Sequence, residues 1–369
     1  MKVCIIGAGP TGSFAAYHLA KHFDVEIFEN HAEVGKPVQC SGLVTQTIRK
    51  VDGIFNSEEF EDLINAKINK IRLFSKNEKT EFELKEPDMV LDRERFDKWL
   101  AKLAERKGAK LNLNSEFLKF ERRDGKLILH IKQQGKVKKI EADFLIGADG
   151  FFSQVSKELG NSRDFIPCIQ ANMAYESNAG AMDIFFSSDY KGLFAWIVPK
   201  NANTAEVGLG CKEKPTEKFR EFLKKRKING KILSHTGGPI SRYNPSNKIA
   251  NGNVFLIGEA ASFVKSSTLG GIIPSLNSAK AIANSLINGT IYERETKELR
   301  REMRFHNLAR KVLDRFSDAD YDSMLRLCNK KEVKDLIKED SRDEASNNFR
   351  WKLLKAQPLF AKFLFKVFA

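Results

Sequence analysis

The opening stretch MKVCIIGAGPTGSFAAYHLAKHFDVEIFE, Met1 to Glu29, constrains the fold because it prescribes a nucleotide site. Lys2–Ile6 is a short apolar run, Gly7-Ala8-Gly9-Pro10-Thr11-Gly12 turns it, and Ser13–His22 continues with helical apolar spacing. Val25–Phe28 returns as a second strand ending in Glu29. In such a unit Gly7 permits the sharp turn, Gly9 lets a pyrophosphate approach the backbone, and Gly12 lets the helix pack on the strands. The helix start offers free N–H groups and the positive end of its dipole to phosphates. Glu29 is expected to accept hydrogen bonds from a ribose diol and to repel a 2′-phosphate, which favours FAD or NAD over NADP.

At 369 residues the chain is long enough for two domains. Its 62 basic and 48 acidic residues leave a net charge of +14. That excess suits nucleic acid, an anionic membrane surface or an acidic protein partner, or is a generic basic surface. No apolar run is long enough to span a bilayer. The nucleotide strand begins at residue two, so no signal peptide is expected and the expected compartment is cytoplasmic. Cys4, Cys40, Cys168, Cys211 and Cys328 lie far apart with no C-x-x-C pair, so neither a metal site nor a disulfide framework is expected.

After Glu29 and a polar loop comes Pro37-Val38-Gln39-Cys40-Ser41-Gly42-Leu43-Val44, whose small residues suit a loop passing close to a cofactor ring. Cys40 reads on its own as a small buried residue or as a group beside that ring. Val51–Ile64 reads as a mostly helical connection, and Ile68–Phe74 and Lys79–Leu84 alternate as half-buried strands do. A helix is expected from Asp92 to about Lys107, buried on Phe96, Leu100, Leu103 and Ala104, with Arg93 in its first turn either a solvated charge or a clamp. Lys110–Leu113, Glu116–Glu121, Leu127–Gln133 and Val137–Ala142 read as four strands joined by turns such as Arg123-Asp124-Gly125.

Two more buried strands end in glycine and an acid. One is Asp143–Gly147, leading to Ala148-Asp149-Gly150; the other is Gly252–Ile257, leading to Gly258-Glu259-Ala260-Ala261. Asp149 is then either at the ligand-binding edge of a parallel sheet or a turn aspartate. Leu269-Gly270-Gly271-Ile272 leads into a helix expected over Ser275–Asn288. Three acid-terminated strands in one chain argue for one large ligand touched from distant segments. Between them, about Phe165 to Cys211 alternates in several strands and forms an antiparallel sheet layer, followed by a basic helix over Thr216–Arg226. The tail interleaves aromatics with lysines, from Phe349-Arg350-Trp351-Lys352 to Phe363-Leu364-Phe365-Lys366-Val367-Phe368, with a break at Pro358. It reads as an in-plane membrane helix, the alternative being aromatics packed on the core.

Together these segments resemble the flavoprotein superfamily of para-hydroxybenzoate hydroxylase and the geranylgeranyl reductases. The closest likeness is to the archaeal digeranylgeranylglycerophospholipid reductases. It is carried by Pro37-Val38-Gln39-Cys40-Ser41-Gly42-Leu43, by Phe194-Ala195-Trp196-Ile197-Val198-Pro199 with Val207-Gly208-Leu209-Gly210, and by Gly258-Glu259-Ala260-Ala261. The resemblance implies an α/β fold with a Rossmann-type FAD-binding domain, an antiparallel-sheet substrate domain and a C-terminal helical tail. The expected division is 1–65, 88–164 and 248–290 for FAD, 66–87 and 165–247 for substrate, and 291–369 for the tail. FAD contacts carried over are Gly7, Gly9, Thr11, Gly12, Glu29, Cys40, Ser41 and Leu43, then Arg93, Phe117 (through its backbone), Asp149, Glu259, Gly271 and Ile272. Substrate contacts are Phe194, Trp196, Pro199, Gly208 and Gly210, with Phe185 and Phe186 along the same path or in the sheet core.

The chain departs from that pattern at Phe194 and Val198, where Tyr and Phe are usual, and at Glu259, where Asp is usual. Leu269 makes the flavin loop bulkier, and Ser156 stands where hydroxylases favour Arg, which counts against NADPH-dependent hydroxylation. The implied activity is FAD-dependent saturation of C=C bonds in prenyl chains of a membrane phospholipid, with Cys40 or a flavin-bound water the candidate proton donor. A ferredoxin or NAD(P)H is the expected electron source and the inner membrane face the expected location. No aromatic-basic platform for nucleic acid is present. The rival is an FAD monooxygenase or dehydrogenase of a small aromatic.

Overall fold

Three buried runs lie side by side in a six-stranded sheet. Its order is Ala250–Asn251, Val254–Leu256, Phe144–Gly147, Lys2–Ile6, Asp24–Phe28 and Lys110–Asn112. All neighbours are parallel except the first pair. Val3, Ile5, Leu145, Ile146, Val254 and Leu256 are wholly buried. Parallel strands covered on both faces need such continuous apolar runs, which is why they stood out in the sequence. Helix Pro10–Leu19 packs against helices Arg93–Arg106 and Ile272–Asn288. The last of these starts at Ile272, three residues before the expected Ser275, because Pro274 is tolerated in a first turn whose N–H groups have no helical partner.

The computed structural model describes residues 1–176, 180–339 and 347–364. The chain divides into two compact units. The first comprises Met1–Val38, Arg93–Phe165 and Ser241–Phe305 and contains the parallel sheet. It also holds a three-stranded meander, Ser115–Arg123, Lys126–Gln133 and Lys136–Ala142. Both meander turns carry two successive residues of positive φ, Asp124 and Gly125 at 49° and 77° and Gln134 and Gly135 at 51° and 75°. That backbone matches the twist of a two-residue hairpin. Lys110–Asn112 does not join this hairpin series; it pairs in parallel with Glu26–Phe28 at the edge of the nucleotide sheet. Three residues are too few for their alternation to reveal a partner.

The second unit comprises Gln39–Asp92, Ile166–Ile240 and His306–Ala369. Its eight-stranded sheet runs Ile232–Arg242, Asp164–Ala174, Thr204–Cys211, Gly192–Pro199, Ala181–Phe185, Ile64–Phe74, Lys79–Leu91 and Leu43–Val44. The expected antiparallel layer is in fact mixed, since Ala181–Phe185 runs parallel to Ile64–Phe74. Residues 39–65 group with this sheet, because Leu43 pairs with Val90 and the Asp92 N–H donates to the Leu63 carbonyl. The C-terminal helices divide at Phe305, within helix Lys297–Leu313.

One face of the sheet is closed by Phe219 and Phe222 from helix Pro215–Lys225, over Ala195, Ile197, Val207 and Leu209. The other gathers Ile68, Val90, Met182 and Val198, with Leu43, Ile71, Ile184 and Trp196 against them. From Trp196 an aromatic series continues through Phe194, Phe186, Tyr321 and Phe316 to Phe363.

The tail therefore divides its aromatics. Phe363 is buried against Phe316 at 4.8 Å between ring centroids, and Phe360 packs in the same cluster. Trp351 and Leu359 are exposed, at 71% and 60%. Helix Asn347–Ala356 stops before Pro358 as the sequence indicates. Residues 365–369, including Phe365, Lys366, Val367 and Phe368, and the side chains of Phe349, Arg350 and Leu364 lie outside the described part. Among the described residues no helix is long and apolar enough to cross a membrane.

Truncating Phe363 to alanine is expected to cost about 3 kcal/mol in urea denaturation. Trp351→Ala should change stability by less than about 0.5 kcal/mol. Equal effects of the two would mean that the tail does not dock through Phe363.

Candidate functional site

Three glycine contacts draw the carboxyl ends of three parallel strands together in the first unit. A Cβ on Gly7, at φ +100°, would lie 2.5 Å from the Ala148 carbonyl oxygen; one on Gly12 would lie 2.0 Å from the Gly7 oxygen; one on Gly258 would meet Thr11 Oγ1 at 2.7 Å. Each segment can sit where it does only because a side chain is missing. Gly9 differs: nothing lies within 4 Å of its Cβ position, and it forms the N-cap of helix Pro10–Leu19 with no side-chain cap. An uncapped helix start behind an open glycine is a cradle for an anionic group.

Glu29 is buried and bonded within the protein. Its Oε2 accepts from the Ala8 N–H at 2.8 Å, and its Oε1 accepts from the His31 N–H at 3.0 Å and sits 2.6 Å from His31 Nδ1. Oε2 keeps a further lone pair, so a ribose hydroxyl can still be accepted there. His31 carried no sequence signal. Asp149 acts as a helix cap, its Oδ2 accepting from the Gln154 and Val155 N–H groups at 2.7 and 3.2 Å. Its Oδ1 is buried with no hydrogen-bond partner. A buried orphan acceptor asks for a donor such as a hydroxyl, so both of Asp149's expected roles have a structural basis. The open cradle, Glu29 and this orphan oxygen together fit a dinucleotide such as FAD.

Arg93 is not a solvated charge. It grips Asp97 through two bonds, Nε to Oδ1 and Nη2 to Oδ2, both 3.1 Å, in a planar fork one helical turn apart. Asp97 is buried, and burial raises its carboxyl above the usual range although Arg93 opposes the shift. Glu259, half-buried at the end of the third strand, accepts from the Ser241 N–H at 3.0 Å through Oε1. Burial pushes its carboxyl up as well, partly offset by the Ser241 hydrogen bonds and the Arg93 charge. Gly271 caps the helix start at Ile272 without a side-chain bond, and Leu269 holds a left-handed φ of +59° in the loop before it. Phe117 is buried beside a register shift in its strand, so only its backbone is available to a ligand.

In the second unit the Cys40 loop enters the edge strand of the eight-stranded sheet. Gly42, at φ +75°, has its Cβ position 2.3 Å from the Leu91 carbonyl oxygen, so the loop lies directly on the neighbouring strand Lys79–Leu91. Cys40 is half-buried, whereas Cys4, Cys168, Cys211 and Cys328 are buried. The expected substrate glycines have another role: the Gly208 Cβ position is filled by the Trp196 indole at 2.3 Å, and that of Gly210 by Leu193 at 2.6 Å. They make room for Trp196 and Leu193. Phe194 and Pro199 are buried and Trp196 is half-buried.

A raised carboxyl has a definite pH signature. The native state retains the Glu259 proton to higher pH than the unfolded chain, whose ordinary value is 4.5. Stability contributed at this site therefore falls as pH rises from about 4.5 through the raised native value. Glu259→Gln removes that dependence while keeping an acceptor for Ser241. The apo variant is expected to exceed wild type in urea midpoint at about pH 8, by a margin larger than at about pH 5. A margin that shrinks with pH would contradict the burial cost.

The FAD binding domain family matches residues 1–286. Among characterised relatives, Digeranylgeranylglycerophospholipid reductase 2 of Methanosphaera stadtmanae is 30% identical over 75% of this chain and 75% of its own length. The enzyme of the same name from Methanothermobacter thermautotrophicus is 27% identical over 91% of this chain and 94% of its own. A geranylgeranyl bacteriochlorophyll reductase-like structure from Thermoplasma acidophilum shares the fold, with a TM-score of 0.83 over 99% of this chain and 98% of that one at 22% identity. The p-nitrophenol 4-monooxygenase of Pseudomonas putida shares it more distantly, with a TM-score of 0.67 over 99% and 97% at 14% identity. The family match over most of the chain and the reductase relatives, together with the three glycine-stitched strands, make this chain a member of the FAD-dependent geranylgeranyl reductase family.

Proposed function

We propose that the protein saturates isolated C=C bonds in the geranylgeranyl chains of an archaeal-type membrane phospholipid. The observation that carries this reading is the apolar sheet face of the second unit. Leu43, Ile68, Met182, Ile184, Trp196 and Val198 lie on it, and the Cys40 loop runs into its edge strand. An unactivated alkene offers no carbonyl to polarise, so its recognition must be by shape and by exclusion of water, which such a face supplies. Reduced FAD, when bound, supplies the hydride. Cys40 Sγ holds the proton destined for the second carbon, and Glu29, Arg93 and Glu259 orient the cofactor.

The remaining parts of the reading are placement and supply. The exposed Trp351 and Leu359, beside Lys352, Lys355 and Lys362, favour contact with an anionic bilayer, and hence a peripheral position on the cytoplasmic face of the membrane. Lys362 also donates to Ser323 Oγ at 2.5 Å, so it spends part of its charge on the protein. Electrons come from a ferredoxin, to which a net charge of +14 is complementary, or from NAD(P)H.

Protein reduced with dithionite and mixed anaerobically with a digeranylgeranyl glycerophospholipid should reoxidise while lipid mass rises by two hydrogens per bond. Cys40→Ser should slow that step about a hundredfold while leaving FAD bound. Lipid of unchanged mass would sink the reading and favour the monooxygenase class, which oxygen uptake with NADPH would reveal. A Cys40→Ser rate equal to wild type would remove the thiol from the proton path alone.

A further inference from the structure

We propose that Lys200 is a positioning residue for Cys40, acting through the single peptide plane between Ser41 and Gly42. Lys200 Nζ donates to the Ser41 carbonyl oxygen at 2.5 Å, and the Gly42 N–H of the same peptide donates to Cys40 Sγ at 3.4 Å. This peptide is trans, so its C=O and N–H point to opposite sides of one rigid plane. Lys200 holds one end and the thiol sits at the other. Rotating the plane would break both contacts together.

A holder is needed because Gly42 does not decide the orientation by itself. At φ +75°, with no side chain, glycine gives the preceding peptide more freedom than any other residue could. The Leu91 carbonyl at the Gly42 Cβ position fixes where the glycine sits but leaves the preceding peptide to other contacts. The ammonium group makes the choice. Its own position is well determined: the Lys200 N–H donates to the Thr204 carbonyl at the end of strand Gly192–Pro199, and its side chain is 18% exposed. Glu206 Oε2 lies 3.9 Å from Nζ and supplies the counter-charge from a buried position. A charged donor on a carbonyl is among the stronger hydrogen bonds available to a loop.

The proposal rests on Cys40 being the proton donor of the function proposed above, yet its test requires no turnover. Hydrogen–deuterium exchange would be followed by mass spectrometry on the FAD-loaded enzyme, wild type against Lys200→Met and Lys200→Arg. Lys200→Met should accelerate exchange in residues 39–44 about tenfold, with residues 126–133 unchanged, and Lys200→Arg should restore protection. Unaltered exchange in 39–44, equal acceleration in 126–133, or no restoration by arginine would each overturn the assignment. If methionine prevents folding, Lys200→Gln, polar but too short to reach Ser41, should give the same acceleration. A lipid that is never reduced would sink the proposed function while leaving this exchange result standing, so the two can fail separately.

Discussion

The approach of Gly12 to the Gly7 carbonyl oxygen is the constraint on which the first unit depends. With only 2.0 Å at the Cβ position, any side chain would push helix Pro10–Leu19 off its strand. That helix in turn carries Thr11 against Gly258, and Gly7 itself lies against Ala148. The carboxyl ends of three strands are thus fixed by backbone-to-backbone or backbone-to-Thr11 contact, without long side chains whose rotamers could vary. A large cofactor touched from distant segments needs that rigidity, since a displacement at one strand end would misplace the others.

The acids at this edge carry an energetic cost. Glu29 and Asp97 are buried, and Asp149 and Glu259 half-buried, in a chain whose net charge is +14. Each is met by N–H groups or by a guanidinium, and burial still holds Asp97, Asp149 and Glu259 above the ordinary carboxyl range. Buried carboxylates with incomplete compensation are poor stabilisers and good ligands. The incomplete pairing of Asp149 Oδ1 leaves an acceptor that a donor from outside the chain could meet.

Much of this was legible in the sequence where one residue type has one physical use. The glycine turns, the three apolar strands and the Pro358 break follow from backbone geometry that few residues satisfy. Partners were less legible. Arg93 and Asp97 are four residues apart on one helix, a spacing that allows a fork, but spacing alone does not distinguish a fork from two solvated charges. Lys200 on Ser41 depends on tertiary approach over a separation that leaves no pattern, and His31, two residues after Glu29, belongs to no motif that marks it as a partner. The tail shows the same limit from another side. Aromatics alternating with lysines describe both a membrane face and a docked helix, and here Phe363 is buried while Trp351 is exposed. Gly208 and Gly210 illustrate a third case, in which small residues taken for groove lining exist to seat Trp196 and Leu193.

The first unit by itself does not select a reaction, because structures of halogenases and a nitrophenol monooxygenase share this fold. Selection must come from what the second unit presents. A monooxygenase acting on a phenol needs polar groups to orient a hydroxyl and to bear charge developing on the ring. The face built from Ile68, Val90, Met182 and Val198 is apolar at its centre, with the buried Glu206 opposite Val198 on the neighbouring strand. The apolar centre of that face suits the hydrocarbon ligand of the function proposed above. The group at its edge able to release a proton is a half-buried thiol on a loop held by a lysine through one peptide. In the function proposed above, proton delivery would depend on the geometry of that loop, and the apolar face would hold the alkene dry.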